Sequence, residues 1–281
     1  MTVTRLSTIS VEKPWGRHNL GFGFADVAAD GAPIGEIWFD EPPGVTHDLM
    51  VKYLFTSERL SIQVHPNDAQ AQERGLPCGK EEAWFILAAE PGATIAMGTT
   101  HAVSGEELRK SALDGRIEAL MDWKPVYPGD VFYLPAGTVH AIGAGITLIE
   151  VQQNVDVTYR LYDYGRPREL HLDDGIAVSR GEPFVADNRS LTLGIGRIAL
   201  VTGRKFVIEK WTWHGTRSLN LPNGALGWLI PIAGHATVSD EQVAAAECWE
   251  IRRNVDVTLS PGAEILFAYS GPSPLPLFPA T

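Results

Sequence analysis

The chain has 281 residues, 44% of them hydrophobic and 20% charged, with a formal net charge of −11 at pH 7. That length leaves room for one large or two modest cores, and the composition excludes a disordered chain. The negative balance excludes a broad surface field for nucleic acid or anionic lipid, so an anionic ligand would need a local pocket of arginine or lysine.

Along the chain, short apolar runs bounded by Gly, Pro, Asp or Asn dominate. They fall at 60–64, 83–87, 131–134, 146–151, 206–213, 228–232 and 264–269. Many of their residues are β-branched or aromatic, and their spacing predicts an all-β sandwich or barrel rather than βαβ units. One stretch, 104–122, reads as helical. Ser104 and Glu107 have the spacing of a capping box, and Leu108, Ala112, Ile117 and Leu120 fall near one face. Asp114-Gly115 is expected to split it in two. Residues 171–188 are polar and rich in turn formers, which predicts a connector between a first unit at 1–170 and a second at 189–281. The proline-rich end, GPSPLPLFPAT, is expected to run extended over the surface. SPGAEILFAYSG loosely resembles YPGDVFYLPAG, a weak internal repeat in which the second copy carries no histidine.

Three segments carry chemistry. In LSIQVHPND, a strand would send Ser61, Gln63 and His65 to one face and Ile62 and Val64 to the other. Polar side chains facing inward are costly unless they are hydrogen-bonded or bind something. In GKEEAWFIL, Lys80 and Glu82 share a face by the same rule, while Trp84 reads as core. In GDVFYLPAGTVHAIG, the Pro135-x-Gly137 turn delivers His140 back towards the barrel. One histidine in a strand is more often a structural residue. Gln63, His65, Glu82 and His140 together form a four-ligand set of two imidazoles, a carboxylate and an amide oxygen, which suits Zn²⁺ or a similar divalent ion. His101, His171, His214 and His235 lie near turns and strand ends and are expected to face solvent.

SIQVHP, GKEEAW and PAGTVHAIG followed by EVQQNVDVTYRLYDYGR resemble the signature segments of type I mannose-6-phosphate isomerases, with weaker echoes at Pro14-Trp15-Gly16 and Glu36-Ile37-Trp38. The resemblance implies a cupin (jelly-roll) β-barrel with a short helical insertion, followed by a degenerate cupin-like β-domain without a ligand set. It implies one Zn²⁺ on Gln63, His65, Glu82 and His140, and matches Lys80, Glu150, Asp156 and Arg160 to the family's functional positions, with Arg166 as a second cation. The implied substrate is a small sugar phosphate, and the implied reaction moves a proton between C1 and C2 through an enediolate. A cation stabilises that species and a side chain carries the proton. Lys80 and Glu150 are both candidates for the proton carrier. Arg160 would bind phosphate as a planar fork, oriented by Asp156, and Ser61 is a further substrate-binding candidate. EIWFDEPPG lacks the histidine that many family members place after this segment, and the nearest is His47.

Two other readings stand beside this one. His65, Glu82 and His140 also make the two-histidine, one-carboxylate set of non-haem iron oxygenases, although Gln63 and Arg160 have little use there. A non-catalytic sugar-phosphate binder would explain the missing histidine. Cys78 and Cys248 are far apart and predict free thiols in a reducing compartment. No signal-peptide pattern or run of roughly 20 apolar residues is present, so a cytoplasmic monomer or homodimer is expected, with no nucleic-acid or membrane partner.

Overall fold

The runs of β-branched and aromatic residues pair into four antiparallel sheets in the computed structural model, which describes residues 2–186 and 189–279. A six-stranded sheet takes the order Thr8–Arg17, Ile34–Phe39, Leu49–Phe55, Ile146–Gln153, Glu82–Ala89, Val131–Leu134. It packs on a five-stranded sheet ordered Tyr159–Tyr162, Ile62–Val64, His140–Ile142, Thr94–Thr99, Met121–Pro125. Trp84, Ile86 and Leu148 from the first and Ile95, Met97 and Ile142 from the second form the core between them. This is the jelly-roll sandwich of a cupin.

A seven-stranded sheet follows, ordered Val3–Arg5, Trp249–Ile251, Gly227–Ala233, Glu264–Ser270, Phe206–Trp211, Arg197–Thr202, Leu191–Gly194. Its partner has four strands, Gly215–Leu219, Val255–Leu259, Ala236–Val238 and Glu241–Val243. The N-terminal strand Val3–Arg5 thus joins the sheet of the C-terminal half. The six- and seven-stranded sheets also pack on each other through Tyr53, Phe55, Ile149, Phe206, Ile208, Trp228 and Leu266. Strand Ile146–Gln153 is therefore buried on both faces, its polar Thr147, Glu150, Gln152 and Gln153 as well as its four apolar residues. At about 1.5–3 kcal/mol for each large side chain removed from water, this shared layer is a major part of the stability of both halves.

The helical stretch divides as its sequence indicates, into Gly105–Asp114 and Ile117–Leu120, with Gly115 at φ +80° between them. Ser104 accepts a hydrogen bond from the Glu107 amide, but the reciprocal half of the capping box is not made. A complete box forms instead at Asn67 and Gln70, opening helix Asp68–Gln72.

The connector is more structured than its polarity predicts. It contains helix Leu172–Val178, which seats Gly175 against Leu161, where a Cβ would come within 2.6 Å of Cδ2. Its last two positions, 187 and 188, lie outside the described residues, as do the last two of the proline-rich end. That end is not simply laid over the surface. Leu277 is fully buried and Phe278 packs edge-on against Trp211 and Trp213. The Leu275 amide also donates to Tyr269 Oη at 3.1 Å and its carbonyl accepts from Arg197 at 2.6 Å, so the segment is held by hydrogen bonds as well as by packing.

Candidate active site

Strand register brings the polar residues together. In the five-stranded sheet, Gln63 lies opposite His140 on one side and Arg160 on the other. In the six-stranded sheet, Trp38, Lys52, Glu150 and Trp84 form one row across four strands. Glu36 and Glu82, two residues from Trp38 and Trp84, share that face by the period-two rule. The chemistry lies where the two rows meet inside the first sandwich.

His65, Glu82 and His140 each place a ligand-capable atom within 4.8 Å of the others, and all three are buried. Glu82 Oε2 is 3.3 Å from His65 Nε2, and Oε1 is 3.1 Å from His140 Nε2. Neither oxygen of Glu82 and neither ring nitrogen of His65 has a well-directed hydrogen-bond partner. Buried polar atoms are normally satisfied, so four orphans in one cluster fit a group that holds a metal ion. His140 Nδ1 lies 2.8 Å from the Thr138 carbonyl. Donation there leaves the Nε2 lone pair facing Glu82, the arrangement that orients a metal-bound imidazole. Gln63 lies beside the three, its amide nitrogen 3.3 Å from His140 Nε2 and its oxygen accepting from Ser61 Oγ at 3.0 Å. Rotating the amide by half a turn presents the oxygen to the cluster instead.

The turn and the approach of segments explain the convergence. Gly137 adopts φ +85°, open to glycine, which lets the Pro135–Thr138 turn fold back under His140. Lys80 is fixed by its amide bonding to the Pro66 carbonyl, beside His65.

The electrostatics are a buried charge lattice. Lys80 Nζ is 3.2 Å from Glu82 Oε2 and 4.0 Å from Glu150 Oε1. Lys52 Nζ is 3.1 Å from Glu150 Oε1 and 3.5 Å from Glu36 Oε2, and Lys13 Nζ is 3.2 Å from Glu36 Oε1. Trp84 donates to Glu150 Oε2 at 2.8 Å and Trp38 to Glu36 Oε2 at 2.6 Å. Burial alone would lower the Lys52 ammonium, but the Glu150 and Glu36 charges outweigh it and raise its pKa. Burial alone would raise Glu36, but Lys52 and Lys13 hold it at about 2. Burial, then the Lys80 charge, push the His65 imidazole down to about 3, which keeps it neutral. Burial opposes ionisation of Glu82, and the Lys80 charge outweighs it and keeps the carboxylate well below 4.5.

Above the cluster a cavity is lined by Ser61, Gln63, Lys80 and Glu150 and, at its rim, by Asp156, Arg160 and Arg168. Asp156 is exposed. Arg166 does not line this cavity. It is drawn away by Asp163, the Arg59 carbonyl and Glu58, and Arg168 occupies the rim in its place. His171 is half-buried rather than solvent-facing, and accepts from the Arg160 amide at 3.3 Å. His101, His214 and His235 are exposed. His47 points away from the site into the shared layer, bonded to Glu250 and edge-on to Trp228. Trp84 is core, as its sequence indicates, and also a donor to Glu150. Lys52, Glu36, Lys13 and Arg168 were not legible as site residues. For Lys52 a signal existed, since a lone lysine in the apolar strand LMVKYLF needs a buried carboxylate partner.

A scan of family models finds no match. The mannose-6-phosphate isomerase of Streptococcus mutans is 37% identical over 231 residues, 76% of this chain and 72% of that one. The chain belongs to the mannose-6-phosphate isomerase family. Mannose-6-phosphate isomerase ManA of Bacillus subtilis is 37% identical over 207 residues, 67% of this chain and 65% of that protein. Among solved structures, a mannose 6-phosphate isomerase from Bacillus subtilis superposes with a TM-score of 0.79 at 25% identity, covering 95% of this chain and 99% of that one. A mutant form of phosphomannose isomerase from Salmonella typhimurium gives 0.75 at 15% identity, covering 96% and 100%, a likeness of fold. The family and the fold agree with the jelly-roll site built above, and the His65, Glu82 and His140 cluster is a possible metal centre.

Proposed function

We propose that the chain interconverts mannose-6-phosphate and fructose-6-phosphate in the cytoplasm, with one Zn²⁺ held by Gln63, His65, Glu82 and His140. The observation that carries this reading is the buried His65–Glu82–His140 cluster, with the His65 nitrogens and Glu82 oxygens orphaned, beneath a cavity whose rim presents Arg160. Bound there, the metal would supply a positive charge against the oxygens of an enediolate.

The chain's own residues supply the rest. Arg160 binds the phosphate with the planar fork of its guanidinium, and Asp156 and Ser61 approach the sugar from the rim and the wall. Glu150 and Lys80 both reach the cavity near the cluster, and one of them carries the proton between C1 and C2. Lys52 holds the Glu150 carboxylate in place and offsets its charge. Trp84 fixes the other carboxylate oxygen. A cavity with these cations would hold an anionic sugar, whereas a neutral aromatic substrate for oxygen chemistry would have no partner for Arg160.

The test is turnover of mannose-6-phosphate by purified protein in a coupled assay, with metal content measured on the same sample. Turnover that tracks zinc supports the reading. Full metal occupancy with no turnover overturns the substrate assignment. Exchange of the C2 hydrogen in deuterated water then separates Glu150→Gln from Lys80→Ala, since the proton carrier's variant binds substrate but loses exchange.

A further inference from the structure

We infer that the second unit is the outer clamp of the metal-binding segment: its 203–205 turn holds residues 79–82 from the side away from the cluster, and Tyr133 and Lys205 are positioning residues for Lys80 and Glu82. This inference rests on the proposed metal-dependent reading and assigns a part in it to the other half of the chain. Among the described residues, His65, Glu82 and His140 form the only group of three side chains fit to hold an ion, so the second unit has no such site of its own.

The run Gly79-Lys80-Glu81-Glu82 is buried throughout, and its contacts alternate. Lys80 meets Glu82, and Glu82 meets both histidines of the cluster. Gly79 and Glu81 are bonded elsewhere. The Gly79 amide donates to Asp68 Oδ1 at 2.9 Å. The Glu81 amide donates to Gln153 Oε1 at 3.0 Å, and Gln153 Nε2 donates to Asp68 Oδ1 at 3.0 Å, which closes a polar ring around the run. The Glu81 carboxylate accepts from Tyr133 Oη. Tyr133 lies opposite Ala83 in register, so it shares the face of Glu81 and Ala83 and not that of Glu82. Ala83 belongs to the layer that packs on the seven-stranded sheet.

The turn between strands Arg197–Thr202 and Phe206–Trp211 closes on this ring at two points. Lys205 Nζ donates to Asp68 Oδ2 at 2.5 Å, and the Arg204 amide donates to Tyr133 Oη at 3.0 Å. The Gly203 backbone comes against the Tyr133 ring, where a Cβ would fall 2.4 Å from Cε2, so this approach needs a glycine. Phe206 packs edge-on against the same ring, with centroids 5.6 Å apart. Partial burial opposes ionisation of Asp68, and the bonds from Lys205, Gln153 and Gly79 outweigh it and lower its pKa. One turn of the second unit thus feeds two relays, Lys205–Asp68–Gly79 and Arg204–Tyr133–Glu81, into alternate positions of a run whose other two positions reach the cluster.

A functional constellation must be held within roughly 0.5 Å of its working geometry. Lys80 and Glu82 cannot move independently of Gly79 and Glu81, so whatever fixes the second pair fixes the first. The two relays differ in strength. The Lys205 and Asp68 side chains are each 35% exposed, so water screens their pairing. Glu81 is buried, and loss of the Tyr133 donor leaves its carboxylate without that partner.

The experiment uses the full chain and reads amide hydrogen exchange of the metal-free protein, zinc affinity by chelator competition, and kcat and KM for mannose-6-phosphate. Tyr133→Phe combined with Lys205→Met cuts both relays. Exchange at 79–81 is expected to rise by about tenfold relative to strand Thr94–Thr99. Zinc affinity is expected to fall by about tenfold, the low end for outer partners of a metal site, and kcat by about tenfold with KM within about twofold, because the displaced groups serve chemistry rather than binding. Lys205→Met alone should weaken zinc by about threefold, which keeps the test open if the double variant fails to fold. Lys205→Arg retains a cationic donor and should restore wild-type exchange and affinity. Lys210→Met removes a comparable ion pair, to Glu264, within the second unit and should match the wild type.

A folded double variant with wild-type exchange and zinc affinity overturns the clamp. So does exchange that rises equally in Thr94–Thr99, which is loss of stability alone, and so does Lys210→Met matching Lys205→Met. If the wild type binds zinc without turning over mannose-6-phosphate and the double variant still loses zinc, the clamp stands and the substrate assignment falls. If the wild type binds no zinc, the metal reading falls and exchange at 79–81 alone decides the clamp. If turnover is normal and the double variant holds zinc like the wild type, the clamp falls alone.

Discussion

Glu82 and His140, carried on opposite sheets of the first sandwich, meet at 3.1 Å between Oε1 and Nε2. That contact ties the two sheets within the polar part of the sandwich interior. Glu82→Gln removes the only carboxylate of the cluster while keeping its shape. Changes to outer hydrogen-bond partners typically cost about 10–100-fold in metal affinity, and loss of a direct anionic ligand should cost at least the upper end, about 100-fold. Competition with a chelator measures it. Zinc held at wild-type affinity would remove Glu82 from the ligand set.

Glu36 provides a pH test that does not involve the proposed ligands. Its folded pKa is about 2 against an ordinary 4.5, with Lys52 and Lys13 as the partners that overcome burial. A depressed acid contributes stability that is fully present above its unfolded pKa and is lost as pH falls through the folded value. A shift of this size is worth on the order of 3 kcal/mol. Glu36→Gln keeps an acceptor for Trp38 but leaves Lys52 with Glu150 alone, so roughly 1–3 kcal/mol of stability should be lost at pH 7. Urea denaturation from pH 7 downward should show the gap between variant and wild type closing as pH falls from about 4.5 towards about 2. A gap independent of pH would show that the Glu36 charge is not what Lys52 needs.

Trp84 links core packing to the charge lattice. Its indole N–H is the donor to Glu150 Oε2, and its ring lies edge-on to His140, with centroids 5.5 Å apart. Trp84→Phe retains most of the apolar volume and removes the donor. An orphaned buried acceptor costs about 1–3 kcal/mol. If Glu150 needs that bond to hold its catalytic pose, kcat should also fall by about tenfold, part of the ~100-fold or more that a misplaced acid–base group loses. A stability loss with unchanged kcat would confine Trp84 to packing.

Much of this site was legible in the sequence because its geometry follows from local periodicity. The alternation through Ser61, Ile62, Gln63, Val64 and His65 needs no tertiary knowledge, and Ile62 and Val64 do fill the core on the opposite face. What escaped depends on contacts between distant segments. Lys52 and Glu36 lie on neighbouring strands far from the motif residues, and only strand register shows that Lys52 reaches Glu150 and bridges it to Glu36. Arg166 and Arg168 differ by two positions, and the loop geometry around Asp163, not their spacing, decides which one faces the cavity. Helix Leu172–Val178 was missed because polarity and Gly175 read as linker, whereas Gly175 is needed for close packing on Leu161.

Gly79 tests whether the approach of segments, rather than the ligands alone, builds the site. An added Cβ would lie 2.4 Å from the backbone carbon of Asn67 and 2.6 Å from the Pro66 carbonyl oxygen. These are main-chain atoms, so they cannot rotate away. The Gly79 amide bonds Asp68 Oδ1 at 2.9 Å and the Lys80 amide bonds the Pro66 carbonyl at 3.0 Å, which fixes the spacing between the His65 segment and the Lys80–Glu82 segment. Gly79→Ala must push the two apart. Overpacking of this kind costs about 1–3 kcal/mol, but the separation falls between two proposed ligands, so zinc affinity should drop by about tenfold or more as the metal geometry opens. Gly129→Ala makes the control. Gly129 has a positive φ, of +91°, but a Cβ there meets nothing within 4 Å, so the substitution should cost stability without altering zinc affinity. Equal zinc affinity in both variants would show that the ligand set tolerates displacement of its two strands, and that the close packing at Gly79 serves the fold alone.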